Sequence, residues 1–301
     1  MLPPPDLVQQ AEAALSGLSS PWVPLTGGRV NHLWRCGGVV IKQYRPERAT
    51  ALFPNDILAE VAALRRFAGQ GIAPEYLAHD KDWLAYRYLR GHGWQSGTGQ
   101  VARLLGQLHH QSPEGLCFRH LLPDGHALAQ DTRDMIAVSG LVLCTPLSPP
   151  DEGSVAPVPL HGDPVPGNII IGPAGAMLID WQCPALGDPV HDLAIFLSPA
   201  MQYLYRGRPL SDREVSEFLT LYPDQAVSQR YLRLRPWLHL RLAAHCALRA
   251  KAGDRGYAAA CRQELTLLQT LGLEVEAAPQ ISVPIQTPVN TKRVASKATT
   301  A

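Results

Sequence analysis

Apolar positions change period several times along the chain. Leu7, Ala11, Ala14 and Leu15 recur at helical spacing within residues 5–17, and Pro21 and Pro24 then break the pattern. From Trp22 to Tyr44 three short β-prone runs, WVPLT, HLWRC and VVIKQY, are separated by stretches that carry Gly-Gly pairs, which predicts an antiparallel meander. A helix is predicted over residues 56–67, capped by Asn55, with Leu58, Val61, Leu64 and Phe67 on one face. Two more β-like runs, 75–78 and 83–89, lead to the break Gly91-His92-Gly93.

Beyond residue 91 the helical period dominates, over 101–110, 215–221, 230–251 and 257–271. Between these helices, residues 158–186 are apolar and punctuated by Gly and Pro. Within them the runs 168–171 and 176–179, joined by Gly172-Pro173-Ala174-Gly175, predict a hairpin. Residues 145–157 are rich in Pro, Ser and Asp and read as a surface loop. Residues 278–301 have no aromatic and no acidic residue and read as a disordered, weakly basic tail. The predicted division is a sheet-rich region at 1–90, a helical region at 91–277 and the tail.

Composition narrows the class. With 301 residues, 46% hydrophobic and 18% charged, the chain fits a globular protein with a sizeable core and does not fit a disordered, collagenous or coiled-coil one. A formal net charge of +1 supplies no general basic field, so neither nucleic acid nor an anionic membrane surface is an expected partner. The N-terminus lacks a basic segment followed by an apolar one, and no uncharged apolar run approaches membrane-spanning length, so a cytoplasmic protein without membrane insertion is expected. The six cysteines contain no C-x-x-C pair, so neither a disulfide framework nor structural zinc is expected.

Candidate chemistry concentrates in His161-Gly162-Asp163-Pro164-Val165-Pro166-Gly167-Asn168, followed twelve residues later by Asp180-Trp181. An Asp and an Asn five apart on a loop that opens a hairpin, with a second Asp at the end of its far strand, bring three oxygen-bearing side chains together. Asp163 can accept a proton from a hydroxyl, while Asn168 and Asp180 offer hard oxygen ligands for Mg²⁺ beside phosphates.

This H-G-D-x-x-x-x-N loop, the I-D-W strand end and the later Gly187-Asp188-Pro189-x-x-Asp192-Leu193-Ala194 phrase together resemble the aminoglycoside phosphotransferase and choline kinase superfamily, small-molecule relatives of protein kinases. The resemblance covers about residues 22–200. It implies an α+β, bilobal protein-kinase-like fold with a small antiparallel-sheet N-lobe, a mostly helical C-lobe, and ATP and Mg²⁺ as cofactors. It places Gly27, Gly28 and Asn31 in a phosphate loop, Lys42 on the α and β phosphates with Glu60 as its ion-pair partner, and Tyr86, Tyr88 and Leu89 in an adenine-pairing hinge within 83–91. Asp163 is then the catalytic base, with Asn168 and Asp180 as metal ligands. His161, Asp188 and Asp192 are expected to order the loop. Val165 and Gln182 depart from the family's usual polar residue and Glu.

Only six residues separate Asp180 from Gly187, too few for an activation loop, so the expected acceptor is a small-molecule alcohol. Residues 201–275 hold 11 Lys and Arg against 7 Asp and Glu, which disfavours a polycationic aminoglycoside. The aromatics Trp94, Trp181, Tyr203, Tyr205, Tyr231 and Trp237 could cage one quaternary or thiazolium cation. Choline, ethanolamine or thiamine is therefore the leading acceptor, with Trp181 and Trp237 as candidate contacts, and a sugar, amino sugar or aminoglycoside is the alternative. A non-catalytic nucleotide-binding module is the reading from another class; a complete set of Lys42, Asp163, Asn168 and Asp180 argues against it. Oligomeric state is left open by the sequence.

Overall fold

The computed structural model describes residues 1–18, 21–25 and 30–277. Gly27, Gly28 and the tail 278–301 lie outside the described residues. Five strands form the first sheet: β1 (Trp22–Pro24), β2 (His32–Cys36), β3 (Val39–Gln43), β4 (Tyr76–His79) and β5 (Trp83–Arg87). Their order is β1-β2-β3-β5-β4, with every neighbouring pair antiparallel.

Alternation along β5 serves two apolar clusters. Leu84 and Tyr86 join the main core, whereas Trp83 and Ala85 join Trp34, Cys36 and Ile41 in a smaller one on the opposite face. That outer face is covered by α1 (Pro5–Ala14), whose Leu7 and Ala11 pack there. The indoles of Trp34 and Trp83 donate to the Met1 carbonyl (3.1 Å) and to Gln10 Oε1 (2.9 Å). A buried donor left without an acceptor costs roughly 1–3 kcal/mol, so these two bonds fix where α1 sits.

Between β3 and β4 in sequence, α2 (Ile57–Phe67) packs on β4 and β5 and buries Val61, Leu64 and Phe67. Two expectations change here. Asp56 caps the helix by accepting from Leu58 N and Ala59 N, while the Asn55 amide turns to Asn31 and the Arg45 carbonyl. Leu58 is 66% exposed, because the first turn overhangs the core.

The rest of the chain runs β6 (His92–Gly93), α3 (Thr98–His109), β7 (Arg119–His120), α4 (Gly125–Ser139), β8 (Leu141–Leu143), β9 (Val158–Leu160), β10 (Ile169–Gly172), β11 (Gly175–Leu178), β12 (Ala185–Gly187), α5 (Val190–Leu197), α6 (Pro199–Arg206), α7 (Asp212–Leu221), α8 (Gln225–Lys251), α9 (Tyr257–Thr270) and β13 (Val275–Ala277). The architecture is the α+β, bilobal, protein-kinase-like one. The predicted hairpin is β10–β11, with β6 added to its edge. The long α8 packs against α4, α5 and α9. Three helices escaped the periodicity reading. In α5 every residue is buried, so there is no polar face to mark a period. In α4 few apolar residues are buried, and α6 is a single short helix capped by Ser198. Residues 145–157 form a loop, tied down where Glu152 pairs with Arg230 (2.7 Å). No described helix is long and apolar enough to cross a membrane.

Candidate active site

The loop after β9 carries His161, Gly162 and Asp163, and its shape is imposed from below. Asp192, in the first turn of α5, accepts from the main-chain N–H groups of His161 and Gly162 (2.8 Å each) and faces His109 Nε2 (3.1 Å). These bonds outweigh the cost of burial and hold the Asp192 carboxyl below its ordinary range. Gly162 has φ +79°, and a Cβ there would meet the Cys183 carbonyl at 2.0 Å, so both conformation and space require glycine. His161 Nδ1 accepts from Asp163 N–H (3.3 Å), its Nε2 donates to the Ile179 carbonyl (3.0 Å), and the ring meets Trp181 edge-on at 4.5 Å. Burial keeps this imidazole neutral by lowering its pKa. His161 thus orders the loop, and Asp188 caps α5 at Val190 N (3.1 Å) while pairing with Arg230 (2.5 Å).

Asp163 and Asn168 meet directly. Asn168 Nδ2 donates to the Asp163 carbonyl (2.9 Å) and to Oδ2 (3.2 Å), which turns the amide so that Oδ1 is its remaining polar atom. Burial first, and the neighbouring Asp180 charge second, push the Asp163 carboxyl well above the usual range, against the Asn168 bond. Asp180 follows β11 with φ +63°, the single positive φ among the described non-glycine residues.

Lys42, fully buried on β3, reaches Glu60 Oε2 (2.5 Å) and also Asp180 Oδ1. The expected Lys42–Glu60 pair is therefore present. Burial disfavours the ammonium, but Asp180 and Glu60 together raise its pKa, so it stays charged. Glu60 is further held by the Tyr44 hydroxyl and by Trp181 N–H (3.2 Å). Tyr44, just past the end of β3, is a partner of Glu60 that the sequence reading does not single out.

These groups open on a cleft of about 420 Å³ lined by Val40, Tyr86, Tyr88, Leu89, Asp163, Asn168 and Asp180. Tyr205 of α6 closes one side, its ring filling the space where a Cβ on Gly167 would stand, 2.5 Å away. The Asn31 side chain is engaged within the protein. Its amide exchanges hydrogen bonds with Asn55 (2.9 and 2.8 Å), donates to Gln182 Oε1 (2.7 Å) and accepts from Arg45 N–H (2.9 Å). With its capacity spent, Asn31 ties the turn after β1 to the Asp180–Gln182 segment. Gln182, where the family commonly has Glu, is thus a neutral partner for an amide.

The aromatic cage does not form. Trp181 is 0% exposed, stacked on Phe67 (5.1 Å) and donating to the Leu178 carbonyl (3.0 Å). Trp237 is buried and donates to the Ser148 carbonyl (3.1 Å). Trp94 and Tyr231 are also in the core. Of the six aromatics, Tyr205 is the one that lines the cleft.

A divalent cation suits the site. Glu60 and Asp180 share the single ammonium of Lys42, and Asp163 lies close enough to feel the Asp180 charge, which leaves excess negative charge. No group of three or more His, Cys, Asp or Glu among the described residues could hold a metal alone. Two side-chain ligands completed by phosphate oxygens is the usual arrangement for Mg²⁺ with a nucleotide.

A model of the phosphotransferase enzyme family matches residues 22–237. No curated protein matches the chain. Among solved structures, a choline/ethanolamine kinase family protein from Mesorhizobium loti is similar over 88% of this chain and 94% of its own, with 18% identity and a TM-score of 0.59. The choline kinase LicA from Streptococcus pneumoniae matches 88% of this chain and 99% of its own, at 15% identity and TM-score 0.57. A streptomycin–ATP–APH(2″)-IIa ternary complex matches over 90% and 97%, at 13% identity and TM-score 0.57. At these identities the likeness is one of fold.

Proposed function

The chain belongs to the phosphotransferase enzyme family and is a phosphotransferase; from this premise we propose that it moves the γ-phosphoryl group of ATP to a hydroxyl of a small-molecule alcohol. The observation that carries this reading is the convergence of Asp163, Asn168 and Asp180 on one cleft, with Lys42 paired to Asp180. A binding module without catalysis would have no need of that complete set.

Lys42, held by Glu60, holds the α and β phosphates. The Tyr88 N–H is spent on the Gly38 carbonyl (2.8 Å), so adenine pairing falls to the main chain of Leu89, with Tyr86 and Tyr88 as walls. Asn168 Oδ1 and Asp180 would hold Mg²⁺, which supplies positive charge against the phosphates when bound. Asp163 orients the acceptor hydroxyl and takes its proton as the new oxygen–phosphorus bond forms and the bond to the ADP oxygen breaks.

Choline, ethanolamine or thiamine as acceptor rested on an aromatic cage that included Trp181 and Trp237, and both lie in the core. The proposed acceptor class is therefore the small alcohol as such. The test is ADP release measured with and without Mg²⁺ and with and without an acceptor, in wild type and in Asp163→Asn. Release that is unchanged in the folded variant overturns the assignment.

A further inference from the structure

A recess of about 40 Å³ opens off the cleft at Asp163 and contains no hinge residue; Arg48, Phe53, Tyr205, His245, Arg249 and Tyr257 line it. Building on the kinase reading, we propose that this recess receives the anionic end of the acceptor, and that Arg48 and Arg249 select an alcohol bearing a carboxylate, or a phosphate monoester inserted by its terminal oxygens, close to its hydroxyl.

The two guanidiniums come from the turn after β3 and from the end of α8, and they share one carboxylate. Asp254 lies 3.2 Å from Arg48 Nη2 and 2.6 Å from Arg249 Nε. The two cations share one anion, so neither guanidinium has a carboxylate to itself. Arg48 Nε has no hydrogen-bond acceptor among the described residues, and neither does Arg249 Nε despite its approach to Asp254. Asp163 is the one carboxylate among the described lining residues, and the reaction requires it.

A cationic acceptor would meet both guanidiniums, and two of the aromatic rings that line the recess, Phe53 and Tyr257, are already engaged. Arg249 itself lies over the Tyr257 ring (5.6 Å to the centroid), and Phe53 meets His245 edge-on at 4.9 Å. His245 senses the same field: burial foremost, then Arg249 and Arg241, hold its pKa near 3. The size of the recess limits the anionic group as well, since one water needs about 10–15 Å³ of such space. Three water-sized atoms, the bulk of a carboxylate, fill it.

The experiment is a thermal-shift titration of the full chain with MgADP present, using glycerate, glycerophosphate, choline and the uncharged isostere of choline with carbon in place of nitrogen. The same titration is run on Arg48→Gln and Arg249→Gln. Glycerate or glycerophosphate should raise Tm above MgADP alone at millimolar concentration, and the stronger of the two tells a carboxylate from a phosphate. Either substitution should weaken that anion roughly tenfold or more while leaving the MgADP shift in place, which also shows that the variant is folded. A choline shift equal to or larger than the anions', no anion shift at all, or an anion shift that survives both substitutions overturns the proposal. Absence of the MgADP shift in wild type removes the kinase reading itself, an outcome distinct from failure of the anions alone.

Discussion

Asp163 and Asp180 are both carboxylates in one cleft, yet their surroundings give them different tasks. Asp163 is held by Asn168 and carries a raised pKa, whereas Asp180 is bound to Lys42 and adopts a positive φ. Asp163→Asn should leave the fold and MgADP binding intact and lower kcat by roughly 10²–10⁴, the scale of a lost general base; steady-state ADP release checks it. Asp180→Ala should abolish Mg²⁺-dependent turnover more completely than Asn168→Ala, because the carboxylate brings net charge to the metal and the amide does not. A Mg²⁺ titration of both variants decides, and a wild-type metal dependence in Asp180→Ala would place the metal elsewhere. These residues could be read from the sequence because they lie on one short stretch of chain, where spacing constrains geometry. Arg48 and Arg249 could not: they come from distant parts of the chain and meet only through Asp254. Asn31 misled for a related reason, since a motif position says where a side chain starts and not which partners exhaust it.

At the scale of elements, α5 holds the His161–Asp163 loop through Asp192. Replacing Asp192 with Ala orphans the N–H groups of His161 and Gly162 in a buried place, which should cost roughly 3 kcal/mol or more. The accompanying loss should fall on kcat more than on the KM for ATP, because the loop carries Asp163 while Lys42 sits on β3. Kinetics together with denaturant unfolding separate the two effects. Trp181 belongs to this scale too. It joins the end of β11 to α2 through Phe67 and through the bond from its N–H to Glu60, so Trp181→Leu should destabilise by roughly 2–4 kcal/mol. A selective rise in the acceptor KM without a lower melting temperature would restore Trp181 to the acceptor site. The elements legible in advance were those with a polar face to contrast with an apolar one: the meander, the hairpin, α2, α3 and α9. Legibility failed where burial is complete, as in α5, and where apolar content is thin, as in α4.

For the whole molecule, the buried histidines set how stability responds to acid. Burial, reinforced by Arg241, holds His191 near pKa 4, and burial with Arg249 and Arg241 holds His245 near 3. In the unfolded chain both would titrate at about 6.5. The folded pKa is the lower one, so between pH 6.5 and about 4 the unfolded state binds more protons and acid favours unfolding. Each imidazole then contributes its full share above pH 6.5 and loses about 1.4 kcal/mol per pH unit as the pH falls through that window. Asp163 acts with the opposite sign, since its raised pKa means that protonation relieves the folded state as pH falls. The wild-type curve is therefore a sum, and the difference between wild type and a variant isolates one group. In His245→Leu, the fall in unfolding free energy from roughly pH 6 to pH 4.5 should be shallower than in wild type by about 1.4 kcal/mol per unit, whatever the offset between the two proteins at pH 8. Urea unfolding at several pH values measures both slopes. Parallel curves would mean that His245 takes up its proton in the folded state, and that the positive field of Arg249 and Arg241 at this end of α8 is weaker than their positions imply.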